Sequence, residues 1–152
     1  MPTQKLKDFL DSNNVKYVTL SHSKAYTAHE IAASAHIPAK ELAKIVMVKV
    51  DGKMVMTVLP SSHKVDLVQL KDSLKAKTVE LATEDEFKDL FPGCSLGAMP
   101  PFGNLYGMDV LVAKRLTEDK EIAFNAGTHT ELIKLDYNDF EKLVKPKLLK
   151  FT

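Results

Sequence analysis

The stretch Ile45-Val46-Met47-Val48-Lys49-Val50-Asp51-Gly52-Lys53-Met54-Val55-Met56-Thr57-Val58-Leu59 decides the fold class. Both arms are rich in β-branched residues. Asp51-Gly52 tolerates positive φ at the two central positions of a type I′ turn, so 45–50 and 53–59 read as a β-hairpin. In a strand beginning at Lys44, alternation puts Lys44, Val46, Val48 and Val50 on one face and Ile45, Met47 and Lys49 on the other. A lysine therefore shares a face with three valines.

Working upstream, Leu6, Phe9 and Leu10 recur at helical spacing before Asn13-Asn14, and 15–20 reads as a short strand. Thr27-Ala28-His29-Glu30 fits a capping box that opens a helix near residue 28, and Pro38 can start another short helix, 38–43. Downstream, Leu67, Leu70 and Leu74 mark a helix over 66–74, and 78–81 a short strand. Thr83-Glu84-Asp85-Glu86 is a second capping box, whose helix Pro92-Gly93 must end. Residues 93–108 hold four glycines and two prolines, which predicts a long shaped loop, and loops of that length are usually functional. Strands are expected at 109–113, 121–125 and 131–135, and a closing helix at about 138–144. Hairpins mixed with helices favour an α+β fold with a mixed, barrel-like sheet.

At 152 residues and 45% hydrophobic, the chain suits one domain over 1–152, with no linker, repeat or low-complexity tract. No segment approaches the ~18 apolar residues of a membrane span. The single cysteine, Cys94, suits a reducing compartment, so a cytoplasmic location is expected. The net charge of +1 means that any nucleic-acid contact must arise from local arrangement. Lys142, Lys145, Lys147 and Lys150 make the last stretch basic; Glu84, Asp85, Glu86 and Asp89 make one helix acidic. Both read equally as solvated surface.

Three places can carry chemistry. Lys44 can snorkel to water, or stand at a cleft mouth as a partly desolvated ammonium suited to a phosphate or an ester carbonyl. The loop Gly97-Ala98-Met99-Pro100-Pro101-Phe102-Gly103 can present backbone N–H groups at its glycines, or form a rigid turn whose Phe102 plugs the core. Asn125-Ala126-Gly127-Thr128-His129 places polar groups between two strands, where His129 is a candidate donor or base. His22, His29, His36, His63 and His129 show no ligand spacing, so no metal is assigned, and no nucleotide-binding or hydride-transfer motif is present, so no cofactor is expected. Ser61-Ser62-His63 lacks a nucleophile elbow and reads as a strand-end cap. Cys94 has no cationic neighbour in sequence to activate it.

The order Thr27-Ala28-His29-Glu30-Ile31-Ala32, Ala43-Lys44-Ile45-Val46, Gly97-x-x-x-Pro101-Phe102-Gly103 and Asn125-Ala126-Gly127 resembles the YbaK and prolyl-tRNA-synthetase-associated editing-domain family over nearly the whole chain. The resemblance implies an α+β domain with a mixed, barrel-like β-sheet flanked by helices. It also implies deacylation in trans of mischarged tRNA, usually tRNA for proline carrying a wrong amino acid. The implied catalytic residues are Lys44, Gly97 and Gly103; Met99, Pro100, Pro101, Phe102, Asn125, Gly127 and His129 would bind substrate. An aminoacyl ester is already activated, so the missing triad is no objection: the protein positions the reactants while the neighbouring ribose hydroxyl helps to activate water. The implied partner is the aminoacyl-tRNA acceptor end, with an aminoacyl-tRNA synthetase as a possible second. Met99-Pro100 departs from the family's better-known branches, which carry a small or β-branched residue followed by Ser or Thr. Alanine is the first expected amino acid, cysteine or another small residue the second. The competing expectations are an inactive module that binds an aminoacyl-adenosine or nucleotide-like ligand, and a synthetase adaptor docking through the basic C-terminal stretch.

Overall fold

The computed structural model describes residues 2–21, 37–95 and 97–152. The expected hairpin forms β2 (Ala43–Val50) and β3 (Lys53–Pro60), paired in register from Ala43 with Pro60 to Val50 with Lys53. Asp51 (φ 49°) and Gly52 (φ 84°) both adopt the left-handed conformation of the turn. Asp51 also accepts from the N–H groups of Lys77 and Thr78 at 2.9 and 2.8 Å, which ties the turn to the next strand.

Around the hairpin lie α1 (Pro2–Ser12), β1 (Tyr17–Ser21), α2 (Leu67–Leu74), β4 (Val79–Leu81), α3 (Glu84–Phe87), β5 (Val110–Ala113), β6 (Glu121–Asn125), β7 (Glu131–Asp136), α4 (Tyr137–Val144) and β8 (Lys147–Leu149). A three-stranded antiparallel sheet runs β1-β7-β6 and a five-stranded mixed sheet runs β4-β2-β3-β5-β8. In the larger sheet β3, β5 and β8 are parallel neighbours. A parallel bridge between Leu42 and Ala123 joins the two sheets at a corner. The fold is α+β with a mixed sheet flanked by helices, as the sequence predicts.

The main core fills the space between the sheets: Met47, Met56, Val58 and Val112 from one, Ile122, Phe124, Ile133 and Leu135 from the other, closed by Leu6 and Leu10 of α1 and Phe140 of α4. On its outer face the five-stranded sheet buries Val48, Val55, Leu59, Leu111 and Ala113 beneath Leu70 of α2 and Phe151. Burial on both faces explains why β5 is continuously apolar rather than alternating. Asp66 and Asp136 cap α2 and α4 by accepting from the N–H groups of Gln69 and Asn138.

Three expectations change. Residues 38–43 form one turn, in which the N–H groups of Glu41 and Leu42 reach Pro38 O, and Ala43 is drawn into β2 by its pairing with Pro60. The helix opened by Thr83 stops at Phe87, although its cap forms as expected: Thr83 N–H and hydroxyl reach Glu86 Oε1 at 2.9 and 3.0 Å. The basic C-terminal stretch, to which the sequence assigns no element beyond the closing helix, forms a further strand. Lys147–Leu149 pairs with β5, Ser73 Oγ donates to Lys150 O, and Phe151 is fully buried. The capping box at Thr27, and with it His22, His29 and His36, lies outside the described residues. No helix among the described residues is long and apolar enough to cross a membrane.

Candidate active site

Lys44 occupies the start of β2, paired with Leu59, on the face that carries Val46, Val48 and Val50. It is half-buried, and desolvation, helped by the positive charge of Lys64, holds its pKa below the usual lysine value. It has no ion-pair partner among the described residues. This is the partly desolvated ammonium that the alternation of β2 allowed.

The loop after Pro92 and the turn after β6 are clasped together. Ser95 N–H donates to Gly127 O at 2.8 Å, and Gly127 N–H donates to Ala98 O at 2.9 Å. Gly127 holds φ 100° and Gly97 φ 86°, conformations that an L side chain would strain. A Cβ on Gly97 would stand 3.6 Å from Cε1 of His129. Asn125 adds an amide oxygen, Oδ1, that is buried and has no hydrogen-bond partner among the described residues. A buried acceptor of this kind carries a desolvation cost that a donor would relieve. Gly97, Gly127 and His129 are thus brought together from two loops, the second of which Asn125 opens at the end of β6.

The rest of the glycine-proline loop is a packing device. Met99, Pro100 and Pro101 are buried, and the Met99 sulfur accepts from Gly97 N–H at 3.3 Å. Phe102 is fully buried and meets Phe9, Phe124 and Phe140 edge-on, with centroids 6.2, 5.4 and 5.5 Å away. A Cβ on Gly103 would fall 2.9 Å from Val110 Cγ2, so this glycine is needed for close approach of the loop to β5. Of the two roles open to Phe102, the structure supports the core plug.

Met99 and Phe102 share the inner core with Ala43 and Met47, opposite the Lys44 face of β2. No hydrogen bond joins Lys44 to the loop among the described residues. The two halves meet instead at the corner of the sheets: Leu42 bridges Ala123, and two residues further along each strand stand Lys44 and Asn125. Ser61 acts as the expected strand-end cap, donating from Oγ to Ala39 O at 2.8 Å. Cys94 lies 3.6 Å from the Tyr106 hydroxyl, and burial pushes its thiol pKa up, so it is a poor nucleophile.

Comparison with known proteins places the chain. Residues 22–143 match the model of the aminoacyl-tRNA editing domain, and the chain belongs to that family. A multifunctional Ser/Thr-tRNA deacylase, ProXp-y, of Escherichia coli K12 is 27% identical over 97% of this chain and 91% of its own length. A proline–tRNA ligase of Bacillus mycoides is 35% identical over 74 residues, 49% of this chain; the chain matches only 13% of that enzyme's length. Among solved structures, a putative trans-editing enzyme for prolyl tRNA synthetase superposes with TM-score 0.82 over 99% of this chain and 96% of its own, at 18% identity. The hypothetical protein APE2540 superposes with TM-score 0.86 at 19% identity, over 97% and 98% of the two chains. Both share the fold.

Proposed function

We propose that the chain hydrolyses, in trans, the ester of mischarged tRNA, with tRNA for proline carrying alanine or another small amino acid as the substrate. The observation that carries this reading is family membership joined to two clasped loops: Gly97, Gly127 and His129 are held together, and the Leu42–Ala123 bridge sets the strand that Lys44 opens beside the strand that Asn125 ends. The near full-length likeness to a protein named as a Ser/Thr-tRNA deacylase supports hydrolysis over mere binding, and it adds serine and threonine to the amino acids to be tested.

Water attacks the ester carbonyl, the tetrahedral oxyanion collapses, and the ribose oxygen leaves with a proton. Lys44 holds a phosphate of the terminal nucleotide or polarises the ester. It needs no role as a base, since the vicinal ribose hydroxyl can help to activate water. Asn125 Oδ1 offers an acceptor for the ammonium of the aminoacyl group, and the Gly97 edge, backed by Met99 and Pro100, limits the side chain by size. One methylene is worth only about 1 to 3 kcal/mol to an apolar pocket, so selection must be chiefly exclusion of larger residues.

The test is release of amino acid from tRNA for proline charged in turn with alanine, cysteine, serine, threonine and proline, by the wild-type chain and by Lys44→Ala. Release of a small amino acid but not proline, lost in the variant, is expected. Equal release by both proteins overturns the assignment of Lys44, and release of none overturns the deacylase.

A further inference from the structure

The larger sheet sorts its charges by end. Lys44 pairs with Leu59, Val58 with Val112, and Ala113 with Leu149, so the start of β2 and the ends of β3, β5 and β8 lie at one end. Just beyond those strands come His63 and Lys64, Lys114 and Arg115, and Lys150. An open groove of about 610 Å³ runs there, lined by His63, Lys114, Arg115, Thr117, Glu118 and Lys150. Lys64, beside His63, is the residue whose charge reaches Lys44.

The local acids are largely committed. Glu118 pairs with Arg115 at 3.0 Å, and Asp66 caps α2. Asp119, next to Glu118, is the exception: its Oδ2 is buried with no hydrogen-bond partner among the described residues, and burial, then Glu41, push its pKa up and so weaken its charge. Lys64, Lys114 and Lys150 have no ion-pair partner among the described residues. Neighbouring strands stand ~4.8 Å apart, so the row from β2 to β8 extends roughly 14 Å, longer than one phosphate. A nucleic-acid backbone presents several charges over that length and would neutralise several cations at once.

We infer that this sheet end is the RNA-docking surface, with the groove between β3, β5 and β8 gripping backbone phosphates of the tRNA acceptor stem while the aminoacylated end lies toward Lys44. The editing reading supplies the identity of the RNA; the charge arrangement supplies the place. Two of the lysines of the C-terminal stretch are thereby excluded: Lys145 and Lys147 line a different cavity, of about 450 Å³, beside Val50 and Lys53 at the hairpin end.

The test compares the full chain with Lys114→Gln/Arg115→Gln/Lys150→Gln and with Lys145→Gln/Lys147→Gln. Affinity for uncharged tRNA is measured across a salt series, and hydrolysis is measured on aminoacyl-tRNA and on an aminoacyl ester of adenosine, which lacks the stem phosphates. The groove variant should bind tRNA about tenfold more weakly, with a log-log salt slope smaller by about 2 to 3, and should hydrolyse the adenosine ester at the wild-type rate. The Lys145/Lys147 variant should match wild type. Unchanged affinity and slope in the groove variant, or equal losses in both variants, overturns the proposal. Should the triple variant lose its thermal transition, Lys114→Gln and Lys150→Gln taken singly must each lower the slope by about 0.7 to 0.9, or the proposal fails. RNA binding through the groove by a wild-type chain that hydrolyses neither ester would remove the deacylase reading and leave the docking surface standing.

Discussion

The two ends of the five-stranded sheet use the same residue type for different purposes. The lysines of the hairpin itself are paired: Lys53 meets Asp109 at 2.9 Å, and Lys49 bridges Glu80 at 3.2 Å and Glu86 at 2.5 Å, while Lys145 and Lys147 nearby have no ion-pair partner among the described residues. At the opposite end Lys44, Lys64, Lys114 and Lys150 are left without carboxylates among the described residues. Paired surface cations serve the fold, weakly. Unpaired ones, one of them half-buried, carry a cost that a bound anion relieves. Net charge cannot show this contrast between the hairpin's committed lysines and the open cations around Lys44, since the whole chain is nearly neutral.

The largest expected effect is at Lys44. Lys44→Ala should lower the deacylation rate about 100- to 1000-fold, the scale of losing one charge-stabilising contact, whereas Lys53→Ala at the hairpin end should leave it within twofold of wild type. Similar losses in steady-state kinetics would erase the distinction between the ends. Next come the two glycines of the loop. Gly103→Ala should destabilise by roughly 1 to 3 kcal/mol in denaturant unfolding, because its Cβ would overlap Val110, with catalysis in the remaining folded protein little changed. Gly97→Ala should show the converse: a cost of about 1 kcal/mol from its positive φ, and a larger fall in kcat/KM because the strained backbone carries a new methyl in contact with His129. If both substitutions act on stability alone, the rim is not part of the site.

Smaller effects come from titration. Burial and Lys64 favour the neutral amine of Lys44, so its folded-state pKa lies below the ordinary 10.5. Between those two values the unfolded chain binds more protons and stability rises with pH; below the folded value the full cost of the charge is present. Lys44→Met should therefore raise Tm at neutral pH, with the gain shrinking as pH approaches 10.5. At the hairpin end the charged form is favoured instead, although stability again rises with pH. Lys49, and then the Thr83 N–H, hold the Glu86 carboxyl down to about 2, so its contribution is present above the usual 4.5 and fades as pH falls toward about 2. Carboxyl NMR titration should show that low value in the wild type and a return toward 4.5 in Lys49→Ala.

Much of the fold was legible because its signals are local. A β-branched run around Asp51-Gly52 makes a hairpin whatever surrounds it, Asp66 and Asp136 cap helices through their immediate neighbours, and four glycines and two prolines keep 93–108 irregular. What escaped depends on distant partners. Nothing in Lys147-Leu148-Leu149 marks a strand until β5 offers its edge, and Pro38 starts a longer helix only in the absence of the Ala43–Pro60 pairing. The site divides in the same way.

The sequence by itself determined the hairpin, the position of Lys44 among the valines of its face, and the ordered motifs that mark the editing-domain family. Only the tertiary structure decided that Phe102 and Gly103 pack while Gly97 meets His129, and that lysines beyond three separate strand ends share the sheet end where Lys44 begins β2. Alternation and turn chemistry act over a few bonds and can be read along the chain. Which side chains become neighbours across a parallel register, and which charges remain unpaired, is set by contacts that form only when the sheets close.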